Sequence, residues 1–515
     1  MNLVNRAGRE ETPGIREDEL AARAYRLYDS FYEATREYRD KCRQNEAFWR
    51  ANHWQTMPRR DEEEPRPVTP VLFSTLEAVL ADIMDHYPTA VLLGETPVDD
   101  AAAERLTQLV RYVLARGRYR RVYRRKCRDA LMKGTSVQEV FWDPAAQNGL
   151  GDVAVRDWDI KQFVWDPKFE NFQDGRACFK FSHYPREWYT ARYPRQAEMI
   201  MSDRHRREGD WGAATRMHEE DIMLLEYWWR EEGYARVHMA KLAGGVVLED
   251  SRLARPMGMY AHGKYPFVME SLYPMSGQPV GIGFVDVLGN LQQYADQLDQ
   301  IILKNTLMSG QLKLLVNRAA DLDEEALLDG RAEVVRGARI DEGAVRWMQA
   351  APLSPYVVGH QMEKVRAVKE ESGQNLFNRG ETSGGVTAAT AILALQEGGN
   401  KRSRMLVEQM YDGFEELVRM LCAVIIENYS EARVFRAGGE DGALLEACFD
   451  GLESGFDVRV EVEKQTPYST LYQNELAMQL MQSGVLTSGE ALELMQFEGR
   501  DKVIGHVRRR YEEVR

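Results

Sequence analysis

Residues 284–378 carry the feature that most restricts how this chain can fold. Phe284, Val287, Leu288, Leu291, Ala295, Leu298, Ile301 and Ile302 fall on one stripe of a helix, with Gln293, Asp296, Gln297, Gln300 and Lys304 on the opposite stripe. Carried to Met308, such a helix is roughly 37 Å long at about 1.5 Å per residue. A second helix follows from about Tyr356 to Asn378. Between them, 310–352 breaks into strand-like pieces, Leu312–Val316, Glu333–Arg336 and Val345–Met348, separated by acidic and glycine-bearing turns. Two long helices flank a compact β-type insert.

At 515 residues the chain exceeds the roughly 250–300 residues at which a single core stops growing, so several cores are expected. The first 60 residues read as helical, with Tyr25, Leu27, Tyr28, Phe31, Tyr32 and Tyr38 at near-helical spacing and Phe48, Trp49 and Trp54 following. The charged, proline-containing Arg59–Pro70 reads as a linker. Val71–His86 is a helix that Tyr87-Pro88 ends, because the residue before proline avoids the helical region. Ala90–Leu93 is a short strand, and Val98–Ala115 an amphipathic helix built on Leu106, Leu109, Val110 and Val113. Ser136–Trp142 and Asp152–Trp158 alternate as strands around Asn148-Gly149, a hairpin signal. Phe163–Pro167, Ala177–His183 and the aromatic-rich Leu224–Met239 extend the β content, making 60–280 an α+β region. Past the second long helix lies a Gly/Ser/Thr loop, Arg379–Val386, and then a helix from Thr387 to about Tyr429, roughly 60 Å if continuous. Phe456–Glu463 alternates as a strand, Tyr468–Ser483 is a helix stopped by Gly484, Thr487–Glu490 is a capping box, and a last helix ends at Arg508-Arg509-Arg510. The fold class is α+β, mainly helical.

The charged fraction of 29% and hydrophobic fraction of 44% are those of a soluble protein, and no apolar run approaches the roughly 18 residues of a membrane span. The amino terminus lacks the apolar core of a secretory signal. Cys42, Cys127, Cys178, Cys422 and Cys448 form no C-x-x-C pair, which fits structural thiols in a reducing cytoplasm. A net charge of −14 argues against tight binding to nucleic acid, which needs a basic patch to displace counterions. The arginine-rich Arg116–Arg128 is best read as a helix whose inner face is Val122, Tyr123, Cys127 and Leu131, its arginines in water or paired with acids.

Catalytic patterns fail one by one. Gly398-Gly399-Asn400-Lys401-Arg402-Ser403 lacks the G-x-x-x-x-G-K-[ST] spacing and follows a helix-type sequence rather than a strand. Each of those glycines costs a helix about 1 kcal/mol relative to alanine, and Asn400 is a favourable N-cap. Gly398, Gly399 and Asn400 therefore predict a kink or break. Gly149/Gly151 and Gly281/Gly283 lack the third glycine of a dinucleotide fingerprint and read as turns. No H-E-x-x-H or G-x-S-x-G occurs, and His218-Glu219-Glu220-Asp221 reads as a polar turn. Asp157, Asp159 and Asp166 alternate with Trp158, Phe163 and Trp165, which predicts solvent-facing strand residues rather than a two-metal nuclease site. No catalytic, cofactor-binding or metal site is expected, and the role is structural or mechanical.

The order of elements resembles the portal proteins of tailed bacteriophages, in their podovirus-like and prophage branch. The stretches that carry the resemblance are NEAFWRANHWQ (Asn45–Gln55), FVWDPKFENFQDGRACF (Phe163–Phe179), Lys264–Gln300 and SGGVTAATAILALQEGGNKRSR (Ser383–Arg404). It implies a homo-oligomeric ring, commonly a dodecamer, at the unique capsid vertex of the virion, assembled in the host cytoplasm without a membrane. Double-stranded DNA would pass through its channel with weak non-specific contact during packaging and ejection. The implied parts are a wing (1–280), stem helix 1 (281–309), clip (310–352), stem helix 2 (353–378), tunnel loop (379–386), long kinked helix (387–430), wing return strands (431–466) and crown helices (467–515). The tunnel loop facing DNA would comprise Arg379, Gly380, Glu381, Thr382, Ser383, Gly384 and Gly385. The clip would meet neighbouring subunits, the terminase, and head-completion or tail adaptor proteins through Asp321, Asp323, Glu324, Glu325, Arg331, Arg336, Arg339 and Arg346, and the ring as a whole would contact the capsid protein. Competing readings are a terminase-like nuclease or ATPase, which magnesium-dependent turnover would reveal, and another head–tail adaptor, for which the chain is long.

Overall fold

The computed structural model describes residues 17–94, 100–200, 221–310, 313–348, 353–373, 401–429, 433–436, 444–447, 456–464, 467–495 and 503, with short omissions at 56, 60–63, 232–235, 330, 332 and 341–343. The amino-terminal elements are α1 (Glu17–Ala34), α2 (Arg36–Trp49), α3 (Val71–Met84), β1 (His86–Gly94), α4 (Asp100–Arg116), α5 (Tyr119–Lys133), β2 (Thr135–Asp143) and β3 (Asp152–Trp158). Next come β4 (Phe163–Trp165), β5 (Ala177–Tyr184), α6 (Arg186–Arg192), β6 (Ile222–Arg230), β7 (Val237–Ala243), β8 (Val246–Asp250), α7 (Ser251–Ala254), β9 (Phe267–Ser271), β10 (Tyr273–Pro274) and β11 (Gly281–Ile282). The remainder is α8 (Phe284–Gly310), β12 (Lys313–Val316), α9 (Glu324–Leu328), β13 (Val345–Met348), α10 (Pro355–Glu371), α11 (Lys401–Asn428), β14 (Arg433–Arg436), β15 (Leu444–Ala447), β16 (Phe456–Lys464), α12 (Pro467–Gln482) and α13 (Ser488–Leu494).

Strands β4 to β8 form an antiparallel sheet in chain order. Their alternation places Val164, Phe179, Phe181, Leu225, Tyr227, Trp229 and Leu242 on one face, and the aromatic stripe of α1 covers it with Tyr25, Tyr28, Phe31 and Tyr32. Tyr28 meets Phe179 edge-on at 5.6 Å, and Phe179 stacks on Tyr227 at 5.0 Å. Burying each such ring stabilises the fold by about 1.5–3 kcal/mol. Arg39 fixes the bend into α2: it is fully buried, donates to the Tyr32 carbonyl at 2.6 Å and lies over the Tyr32 ring.

A second sheet, β3-β2-β9, is the centre of a larger core shared with α3, α4, α5, α11 and the start of α8. Its β2–β3 hairpin turns where expected, with Asn148 at φ 57° and Gly149 at φ 94°. The inner face of α5 is Tyr119, Val122, Tyr123, Cys127 and Leu131, and α11 adds Met410, Phe414, Leu417, Leu421 and Ile425. Lys126, in this arginine-rich helix, is 1% exposed with its Nζ 2.5 Å from Glu270 on β9. A β-carbon on Gly413 of α11 would fall on that Glu270 carboxylate, so glycine is what lets α11 pass. Burial pushes the Glu270 carboxyl up from its ordinary range, against the pull of Lys126.

The strand expected at Ala90–Leu93 is longer, running from His86 to Gly94 and pairing antiparallel with β16 over its whole length. Pro88 lies within it, which a strand paired on one side tolerates because the missing N–H faces away from the ladder. The strand predicted at Phe456–Glu463 and the helix before Gly484 (φ 75°) are both present, and the Thr487–Glu490 capping box forms. Residues 496–502 and 504–515, and with them the end of the last predicted helix at Arg508–Arg510, lie outside the described residues.

The supposed linker differs most. Residues 64–70 form a strap pinned across α8 rather than a solvated connection. Asp296, buried, accepts from the Thr69 amide at 3.1 Å and from Gln292 Nε2 at 3.0 Å, while its other oxygen lies 2.5 Å from His53 Nδ1. Gln292 bridges both ways, donating to the Thr69 carbonyl and accepting from the Leu72 amide. Asp299 receives the Thr69 hydroxyl and Gln300 donates to the Pro65 carbonyl. Part of the polar stripe of the long helix, Asp296 and Gln300, is thus satisfied by protein rather than water, while Lys304 at its far end is exposed.

Two substitutions test this frame. His53→Ala leaves a buried carboxylate short of one partner, a loss of about 3–5 kcal/mol; the expected outcome is a lower denaturation midpoint together with faster hydrogen exchange at the Thr69 amide. Gly413→Ala drives a methyl into the Lys126–Glu270 pair and is expected to cost about 1–3 kcal/mol in chemical denaturation, whereas Gly489→Ala, at an open position, shifts the midpoint little.

Candidate functional site

Helix α8 leaves the body through a crossing of bare backbone. A side chain at Gly283 would strike the Leu131 carbonyl at 2.6 Å and the Gly134 amide at 2.8 Å, and Gly134 itself sits at φ 84°. Gly281 and Gly283 are therefore close-approach residues where α5 ends and α8 begins. Asp286 holds the first turn: it accepts from the Gly283 amide at 2.7 Å and from Asn45 at 2.9 Å, and lies 3.1 Å from Lys41.

The near half of α8 is buried through Phe284, Val285, Leu288, Gln292, Ala295 and Asp296. Beyond Gln300 every residue of it is exposed or half-buried, and in α10, packed alongside, Val368 is the one fully buried helical position. Pro355 opens α10 as a first-turn proline. Part of the stripe predicted to be a core face is therefore open in the single chain: Val287 is 47% exposed and Ile301 49%, with Tyr294, Leu307 and Met308 also exposed.

At the far end β12 pairs with β13, Leu314 opposite Trp347 and Leu315 opposite Arg346. The strand expected at Glu333–Arg336 does not form. That segment instead runs beside residues 320–323, the Asp323 amide donating to the Arg336 carbonyl and the Ala338 amide to Ala320. The short helix α9, which sequence reasoning missed, begins where Asp323 caps it by accepting from the Ala326 amide. The N-cap aspartate followed by Glu324 and Glu325 was the signal for it.

The eight predicted interface residues of this insert, Asp321, Asp323, Glu324, Glu325, Arg331, Arg336, Arg339 and Arg346, are all exposed, and none forms an ion pair with another described residue. Leu315, Leu328, Val334 and Ile340 are exposed among them. The tunnel-loop residues Arg379–Gly385 and the kink at Gly398, Gly399 and Asn400 lie outside the described residues.

The aspartates considered for metal chemistry are dispersed among cations. Asp157 pairs with Arg125, and Asp159 with Lys133 at 3.0 Å and Lys161 at 3.3 Å. Burial raises the Asp159 carboxyl, but the two lysines hold it below its ordinary value. Asp166, expected to face solvent, is buried and takes Arg176 in two bonds of 2.6 and 3.3 Å. Among the described residues no group of three or more His, Cys, Asp or Glu side chains could hold a metal ion, and no helix is long and apolar enough to cross a membrane. Cys42, Cys127, Cys178 and Cys422 are buried free thiols, and burial pushes those of Cys42, Cys127 and Cys422 up to about 12, far from the reactive thiolate. Cys448 lies outside the described residues.

What the arrangement offers is a two-helix arm, anchored at its root and tipped by a charged insert. Two models of known families match the chain. Residues 25–265 match the phage P22-like portal proteins, and residues 191–494, more than half of the chain, match the phage SU10 portal proteins. No curated protein matches the chain. Portal proteins are structural components of the virion. The chain belongs to the portal proteins of tailed bacteriophages, which stand at the capsid vertex and serve DNA packaging.

Proposed function

We propose that this chain closes into a ring of about twelve copies whose central channel conducts DNA into and out of the capsid. The observation that carries this reading is the arm. Its exposed apolar residues amount to a face that a single soluble chain rarely leaves open, and its tip holds charges of both signs that form no ion pair with another of the described residues. Residues 281–309 and 353–378 act as the stem, 310–352 as the clip, 1–280 with 431–466 as the wing, and 467–515 as the crown. The tunnel loop, 379–386, faces DNA, and the joint at Gly398–Asn400 lies in the long helix behind it.

The acidic balance of −14 suits a conduit. Phosphate neutralised by Lys and Arg holds DNA in place through released counterions, whereas a strand in transit must not be held. The insert's charges then serve neighbouring subunits first and the terminase and head-completion or tail adaptors afterwards, with the capsid protein meeting the ring's outer side. Assembly in the host cytoplasm precedes incorporation at the vertex.

Electron microscopy of the purified protein is expected to show closed rings of about twelve subunits with a central hole; monomers at every concentration would overturn the reading. Reversing the insert's acids together (Asp321→Lys, Asp323→Lys, Glu324→Lys, Glu325→Lys) is expected to leave the wing's melting transition in place. The same variant should reduce terminase-driven DNA uptake into proheads by at least about tenfold, about 1.4 kcal/mol or more of lost docking. Uptake at the wild-type rate would remove these residues from the docking surface.

A further inference from the structure

The face of the five-stranded sheet turned away from α1 is the floor of a cleft of about 530 Å³. Lys180, Glu226, Lys241 and Glu249 are direct cross-strand partners on β5, β6, β7 and β8, a ladder of alternating sign. Lys180 Nζ lies 3.0 Å from Glu226 and 2.6 Å from Glu139 of β2, and Lys241 Nζ lies 2.8 Å from Glu249. Both terminal carboxylates are further engaged, Glu139 by the Trp158 indole N–H at 2.6 Å and Glu249 by the Tyr193 hydroxyl.

That engagement leaves one guanidinium at each end without a direct ion pair among the described residues, although Arg192 still helps to hold the Glu249 carboxyl below its ordinary value through space. Arg156 stands cross-strand from Glu139 but lies over the Phe141 ring at 4.5 Å, and Arg192 lies over Trp188 at 5.5 Å. Both are exposed, and neither has a carboxylate within ion-pair distance among the described residues. Trp142, Trp228 and Tyr260 complete the aromatic walls.

Four acidic side chains (Glu139, Asp143, Glu226, Glu249) and four basic ones (Arg156, Lys180, Arg192, Lys241) line the cleft, so it is neutral overall. A nucleic-acid backbone needs a surplus of positive charge and would meet four carboxylates here. An extended polypeptide has an uncharged backbone, so it needs positive charge only where its own acidic side chains fall. The ladder covers three strand spacings, about 14 Å, and an extended chain rises about 3.3 Å per residue. We propose that this cleft binds an extended acidic peptide segment of a partner protein, with two carboxylates about four residues apart, on the same face of the extended chain, meeting Arg156 and Arg192 and an apolar side chain between them set against the aromatic walls.

The test is fluorescence anisotropy of the purified full-length protein with a labelled Glu-Ala-Phe-Ala-Glu peptide. Saturable binding is expected, lost when both Glu are replaced by Gln and weakened at least about tenfold in the Arg156→Gln/Arg192→Gln protein, whose melting temperature stays unchanged because both side chains are exposed. Arg192→Glu is expected to recover binding of a peptide with one terminal Glu exchanged for Lys. Absence of saturable binding, equal affinity for the Gln peptide, or full displacement by oligothymidylate would each overturn the proposal.

Discussion

One carboxylate organises how the arm meets the body. Asp296 sits midway along α8 and gathers His53 from the amino-terminal helices, Thr69 from the strap and Gln292 from its own helix. An acidic group buried this far from water is tolerable only with its acceptor sites filled. The three segments are therefore positioned by each other. The strap cannot lift from α8 without stranding Asp296, and α8 cannot rotate without breaking Gln292 from both backbone partners. The direction in which the arm leaves follows from this cluster and from the bare-backbone crossing at Gly134 and Gly283.

Charge is distributed unequally along the chain. In the body, ionic groups largely satisfy each other: Lys126 with Glu270, Lys133 with Asp129 and Asp159, Arg128 with Glu77, Arg176 with Asp166. In the insert they are exposed and, among the described residues, unmatched. Exposed pairs add little to stability, so the insert gives up little folding energy by leaving its charges open. It keeps them available for surfaces that change during assembly.

Much of this was legible in the sequence, and what was not has physical causes. The alternation of Phe456–Glu463 announced a strand, while its partner was foreshortened because Pro88 reads as a stop even though a one-sided strand accommodates it. The polar stripe of α8 was visible as polar; periodicity reports that a face is not apolar, and is silent on whether water or a strap satisfies it. The pairing of Lys126 was not legible in the arginine-rich helix because its partner, Glu270, is 144 positions away. Glu333–Arg336 has a strand's composition, but its backbone bonds go to a turn. The dispersal of Asp157, Asp159 and Asp166 among separate cations depends on tertiary neighbours that no local pattern encodes.

The pairing of β1 with β16 also sets a schedule. Its register joins His86 to Lys464, so the first strand, His86–Gly94, emerges from the ribosome 370 residues before its partner, Phe456–Lys464. At about 5–20 residues per second that is a wait of about 20–75 s with an edge unpaired. Contacts so distant in sequence close slowly, and an open edge recruits other chains. The molecule meets this hazard by placing a proline within the strand, which keeps a nascent subunit from pairing with its neighbours before it has finished becoming itself.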